Sequence, residues 1–111
     1  MEITIGKQKQ ELNFGVRFVN ELDNVIGVKR DGISLGFGLT KSIPALQAYD
    51  TAVLAQVLYC ATFPNSPRAS LESIYDFIDN PDTDIEGLFK EVNKELKKAN
   101  AVKLALKNMK A

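Results

Sequence analysis

From Asp50 to Phe63 the chain reads DTAVLAQVLYCATF, and after Asp50 only Thr51, Gln56 and Thr62 interrupt the apolar run. Val53, Leu54, Val57, Leu58 and Ala61 recur at the i, i+1, i+4, i+5, i+8 spacing of one helical face. Ala52, Ala55, Tyr59 and Cys60 occupy the other sides, so the segment is apolar almost all round. Such a helix must be covered on most sides, which makes it the expected core helix. At about a dozen residues it falls short of the ~20 that a hydrocarbon layer requires, and a membrane span is excluded on length.

The remaining pattern predicts elements around this helix. Ile3 and Ile5 alternate with Glu2 and Thr4, and after a polar turn near residues 6–9 the chain resumes at Glu11 and Leu12. A short β-hairpin over residues 1–12 is expected, resting its apolar face on helices. Asn13 is placed to cap a helix over 13–26, with Phe14, Phe18, Leu22 and Val25 along one stripe and Val19 and Ile26 beside it. A glycine-rich loop follows over 27–39, with a possible short strand at residues 33–37. A helix pair is expected over 40–63: the first begins near Thr40 or Ser42 so that Pro44 falls in its first turn, and Asp50 caps the core helix.

Prolines 64 and 67 end that pair, and Ser70 caps a helix over 70–80 with Leu71, Ile74, Tyr75 and Ile78 on one face. Thr83 and Glu86 then stand three apart as a capping box. The last helix, over 84–109, carries a stripe of Ile85, Phe89, Val92, Leu96 and Ala99 that continues through Val102, Leu106 and Met109. Unbroken, it would be roughly 39 Å long at ~1.5 Å per residue, so its last turns would project and leave Val102, Leu106 and Met109 partly uncovered. The expected fold is mainly α (α+β): one domain over residues 1–111, with an N-terminal hairpin on a bundle of about five helices.

Composition narrows the chemistry. The 111 residues include 14 basic and 14 acidic side chains, so net charge gives no reason to expect nucleic acid or an anionic membrane as the main partner. The balance conceals a segregation, because six acids and no base lie between Ala69 and Phe89, whereas seven lysines follow from Lys90 against only Glu91 and Glu95. Cys60 is the single cysteine, on the core helix, where it reads as a small buried hydrophobe rather than a nucleophile. That usage and a start unlike a signal peptide fit a reducing cytosol.

Three motifs suggest chemistry and each falls short. GFGLTK at 36–41 has glycines and a lysine but lacks the Gly-Lys-Ser/Thr end of a phosphate loop. Asp82, Asp84, Glu86 and Gly87 copy the first half of a calcium loop, but Lys90 and Asn93 stand where its later ligands belong. The C-terminal lysines suit a phosphate backbone but carry no arginine or interleaved aromatics, and they read as spread around the helix. With no histidine and no nucleophile motif, no catalytic residue, cofactor or metal is expected.

The order of features nonetheless resembles a known family. NFGVRFVNELD from Asn13, GISLGFGLTKSIPALQ from Gly32, TAVLAQVLYCAT, SLESIYDFIDN and DIEGLFKEVNKELKKANAVKLALKN together look like the small tail assembly chaperones of long-tailed (siphovirus) phages of Gram-positive bacteria, of the lactococcal-phage type. The resemblance implies a non-structural protein of the bacterial host cytoplasm, absent from the mature virion. It would bind the tape measure protein and keep that chain's hydrophobic helical segments soluble until the tail tube assembles. It also implies self-association, and contact with the major tail protein through a longer frameshifted form. The surfaces expected to serve are Ile33, Leu35 and Phe37 in the glycine-rich loop, and Val102, Leu106 and Met109 on the last helix. The rival expectation is a small DNA-associated regulator using the lysine-rich terminal helix.

Overall fold

In a computed structural model, which describes residues 1–34 and 36–109, the alternating N-terminal segment folds as an antiparallel hairpin of β1 (Glu2–Ile5) and β2 (Gln8–Glu11). Ile3 and Ile5 turn inward and are buried, and β1 rests on the fourth helix. Gln10 shares the inner face and is fully buried although polar. Its amide finds partners in the 62–69 loop: Nε2 donates to the Pro67 carbonyl (3.1 Å) and Oε1 accepts from the Ala69 N–H (2.9 Å). Next to it, the Asn65 Oδ1 accepts from the Glu11 N–H and Asn65 Nδ2 donates to the Glu11 carbonyl, both at 2.8 Å.

Six helices follow among the described residues, and the mainly α class with an N-terminal hairpin is as expected. The first, α1 (Val16–Val25), starts later than the pattern suggested. Asn13 does not cap it; its Oδ1 accepts from the Gly15 N–H (2.8 Å) in a turn ahead of the helix, while its N–H donates to the Ala61 carbonyl (2.9 Å). A second hairpin, β3 (Lys29–Arg30) with β4 (Ile33–Ser34), occupies the glycine-rich loop. Its two-residue turn holds Asp31 and Gly32 at φ 52° and 76°. Positive φ at both central positions is the signature of the hairpin turn that Asp-Gly favours.

The second helix, α2 (Gly38–Gln47), also departs from expectation, since Pro44 lies in its interior rather than its first turn. Pro44 and Thr40 are both exposed, so water can take the carbonyl that proline leaves without a donor. The core helix is α3 (Thr51–Ala61), capped as predicted by Asp50, whose carboxylate accepts from the Val53 N–H. Leu54, Val57, Leu58, Cys60 and Ala61 are fully buried on it, against α1, α2 and α4 (Leu71–Asp79). Ser70 caps α4 as expected, accepting from the Ser73 N–H (3.1 Å).

Two boundaries near the C-terminus are corrected. Asp84, not Thr83, caps α5 (Ile85–Lys98), accepting from the Gly87 N–H, while the Thr83 hydroxyl donates to the Phe77 carbonyl (2.6 Å). The long last helix is in fact two. Ala99 leaves the helical path with ψ 124°, and its carbonyl accepts from Val102 and Lys103 at the start of α6 (Asn100–Met109). The break has a cause in the stripe itself. Two successive steps of three, Leu96 to Ala99 to Val102, rotate an unbroken helix by roughly 120° away from Leu96, whereas bending lets Val102 turn back to the core. As a result α6 folds onto α1, α2 and α5.

Candidate partner-binding surface

The β3–β4 hairpin is fixed at its base and free at its tip. At the base, the Val28 N–H donates to the Gly36 carbonyl (2.9 Å) and the Gly27 N–H to the Leu22 carbonyl (3.3 Å) of α1. Asp23 supplies the main clamp. Its Oδ1 accepts from the Gly38 N–H (2.9 Å), capping α2 from another helix, since Phe37 at the cap position has no oxygen to offer. Gly38 permits this approach, because a Cβ there would stand 2.8 Å from Asp23 Oδ1 and 2.9 Å from its backbone nitrogen.

Beyond the clamp the side chains face outward. Ile33 is 66% exposed and Phe37 54% exposed, with the basic Lys29 and Arg30 on the neighbouring strand, also exposed. Phe37 is held at φ 68°, ψ 10°, the left-handed region that a bulky residue rarely occupies. Such strain costs on the order of 1–2 kcal/mol and is found where the surroundings enforce a particular presentation. Phe37 immediately precedes Gly38, whose N–H is held by Asp23. Of the loop residues singled out from sequence, Ile33 lies on β4 and Phe37 at the N-cap of α2, both exposed, and Leu35 lies outside the described residues.

The C-terminal stripe behaves differently from its expectation. Val102 is fully buried and Leu106 is 9% exposed, both within the core; of the three only Met109 is open to solvent. The correction follows from the break at Ala99, which removes the projection that would have uncovered them. In their place α6 exposes Leu104 (75%), and Val16 at the start of α1 and Tyr49 after α2 are also open. No periodicity marked Leu104, because it falls between the positions that form the stripe.

The charged residues are more ordered than their sequence suggested. Lys90, Lys94 and Lys97 line a cleft with Gln47, Tyr49 and Asn93, and Lys97, Lys103 and Lys107 line the adjoining one with Gln47 and Leu106. Five of the lysines therefore share one side, which corrects the expectation that they are spread around the helix. Of the half calcium loop, Asp84 caps α5 and Glu86 pairs with Lys90 at 3.2 Å, a bond that raises the lysine's pKa.

Cys60 is sealed within the core, and burial foremost, with Glu21 adding and Arg68 opposing, pushes its thiol up to about 12. Arg68 itself stacks over Tyr59 (4.2 Å) and donates to Glu21 (2.8 Å) and to the Tyr59 carbonyl (2.7 Å), tying the 62–69 loop to α1 and α3. No helix among the described residues is long and apolar enough to cross a membrane.

By its build this is a small mainly helical protein that presents apolar side chains on the β3–β4 hairpin and at the start of α2. A family model described as phage tail assembly chaperone protein, TAC, matches residues 2–110. The chain belongs to that family, and the role that follows is in phage tail assembly. Neither curated proteins nor solved structures give a match.

Proposed function

We propose that the protein binds the tape measure protein and keeps that chain's hydrophobic helical segments soluble until the tail tube forms around it. The reading places it in the cytoplasm of a bacterium infected by a siphovirus of the lactococcal-phage type, working without bond chemistry and leaving before the virion is complete. Membership of the tail assembly chaperone family supports this, and one observation carries the choice of surface. Ile33 on β4 and Phe37 at the N-cap of α2 are both exposed, and Phe37 holds a left-handed backbone beside the Asp23–Gly38 clamp. An apolar helical segment laid against them would bury both side chains, with Lys29 and Arg30 available to acidic flanks.

Full burial of an isoleucine or phenylalanine is worth about 1.5–3 kcal/mol, between roughly ten-fold and roughly a hundred-fold in affinity. The test is co-expression with an aggregating tape measure fragment. Ile33→Ser and Phe37→Ser should each fold normally by circular dichroism and lose most of the co-solubilised fragment, while Leu104→Ser should retain it. Undiminished solubilisation by the Ile33→Ser, Phe37→Ser double variant would refute the assignment.

A further inference from the structure

The break at Ala99 does more than bury Val102 and Leu106, because it also gathers lysines from two helices. On α5, Lys90, Lys94 and Lys97 recur at steps of four and three and so stand on one side, at about 0, 6 and 10.5 Å along the axis. In an unbroken helix Lys107 would lie a further ~15 Å beyond Lys97. With α6 folded back, Lys103 and Lys107 instead share a cleft with Lys97, and Gln47 at the end of α2 joins it to the cleft lined by Lys90, Lys94 and Lys97. No acid lines either cleft. Glu95 pairs with Lys98, and of the five lysines only Lys90 has an ion-pair partner among the described residues, Glu86. Apolar surface accompanies the charge: Tyr49 is half exposed with its ring 5.1 Å from that of Phe89, and Leu106 lines the second cleft. Cations crowded along a groove with no acid between them repel one another, and an anionic partner relieves that repulsion.

We propose that this groove docks an amphipathic helix of a partner protein, one that carries carboxylates at steps of four and three and an apolar residue against Tyr49. The spacing selects the partner. A helix laid along α5 repeats its carboxylates at the same intervals as the lysines, whereas an extended strand repeats same-side residues every ~6.8 Å and slips by ~3 Å at the third lysine. A nucleic acid would meet cations but no arginine between residues 90 and 109, and a single tyrosine on which to stack a base. The net charge of zero also gives a long polyanion no attraction beyond the groove itself. Gln47 and Phe37 lie at opposite ends of α2, so this site is separate from the client surface and does not rest on it.

Fluorescence anisotropy of the purified full chain with a labelled peptide of roughly 20 residues, long enough to be helical in water, tests it. The peptide carries glutamates at steps of four and three down one side with leucines beside them, and a control of the same composition spreads the glutamates around the helix. The native chain should bind the first peptide at least roughly five-fold more tightly than the control. That affinity should fall at least roughly ten-fold from 0.1 M to 1 M salt, as the screening length shrinks from about 10 Å to about 3 Å. Lys94 and Lys97 are exposed, so the Lys94→Glu, Lys97→Glu variant should keep the native circular dichroism, and it should bind at least roughly ten-fold more weakly. The Ile33→Ser, Phe37→Ser variant should bind the peptide as the native chain does, which separates this site from the client surface. No binding, equal affinity for the two peptides, undiminished binding by the lysine variant, or tighter binding of a duplex DNA than of the peptide would overturn the proposal. So would native oligomers that exclude the peptide and fall to monomers in the lysine variant, because a second copy would then occupy the groove.

Discussion

Replacing Gln10 tests how the N-terminal hairpin is held to the helices. Its side chain is fully buried, and both ends of its amide are spent on backbone groups of the 62–69 loop, at 3.1 and 2.9 Å. In Gln10→Ala the Ala69 N–H loses its partner in a buried position, at a cost of about 1–3 kcal/mol. Pro67 is exposed, so its carbonyl can turn to water and adds little. The vacated volume adds a packing loss of about 1 kcal/mol, for a total of roughly 2–4 kcal/mol.

In a domain of this size that corresponds to a fall in Tm of about 8–16 °C, read by thermal melts and urea denaturation followed by circular dichroism. Gln10→Leu separates the two contributions, because leucine refills the volume but cannot bond to the loop; it should remain less stable than the native chain by about 1–2 kcal/mol. A leucine variant as stable as the native protein would show that packing alone holds the hairpin, and the reasoning would fail.

Other outcomes follow from the same structure. Leu106→Glu places a carboxylate in the core and should cost ~3 kcal/mol or more, whereas Met109→Glu should stay within ~0.5; equal urea midpoints would contradict the fold-back of α6. Phe37→Gly relieves the left-handed strain and should raise stability by about 1 kcal/mol while weakening client solubilisation, and a loss of stability would mean that the ring serves packing. The Ser42 hydroxyl is buried with no partner among the described residues, so Ser42→Ala should be neutral or stabilising by up to about 1 kcal/mol; a clear loss would point to a hidden bond.

Cys60 predicts a dependence on pH. Its folded pKa, raised to about 12, lies above the unfolded value, so the unfolded chain gives up the thiol proton first. That contribution is complete below about pH 8.5 and is lost toward pH 12 at up to ~1.4 kcal/mol per unit. The stability of the native chain relative to Cys60→Ala should therefore fall as pH rises above about 9, as measured by urea titration, and a constant difference would exclude it.

Much of the fold was readable because local chemistry and tertiary context agreed. Asp50 and Ser70 cap the helices they precede, and the all-round apolar character of residues 52–61 required the central position α3 occupies. The pattern failed where a distant residue took a local role. Nothing near Phe37 announces that Asp23, on the preceding helix, will cap α2, and that bond allows the helix to start before Pro44. Likewise the stripe through Ala99 was apolar in period on both sides, so the break at Ala99 left only two consecutive steps of three as its trace. Exposure of Ile33 and Phe37 was legible from apolar residues set among glycines; burial of Val102 and Leu106 was not, because it depends on where the bend sends α6. Gln10 could not be found at all, since its burial is stabilised by a loop more than fifty residues away.

The pairing of Asn65 with Glu11 has a consequence for solubility. A two-stranded sheet has two bare rims, and a rim of unpaired peptide groups is a template on which foreign strands add and aggregates grow. Asn65 offers β2 one donor and one acceptor, as a neighbouring peptide unit would, yet it belongs to a side chain and cannot extend into a further strand. At that point the rim is closed by a stopper rather than a strand. A protein whose family helps other chains assemble thereby has one less place at which those chains could draw it into a precipitate.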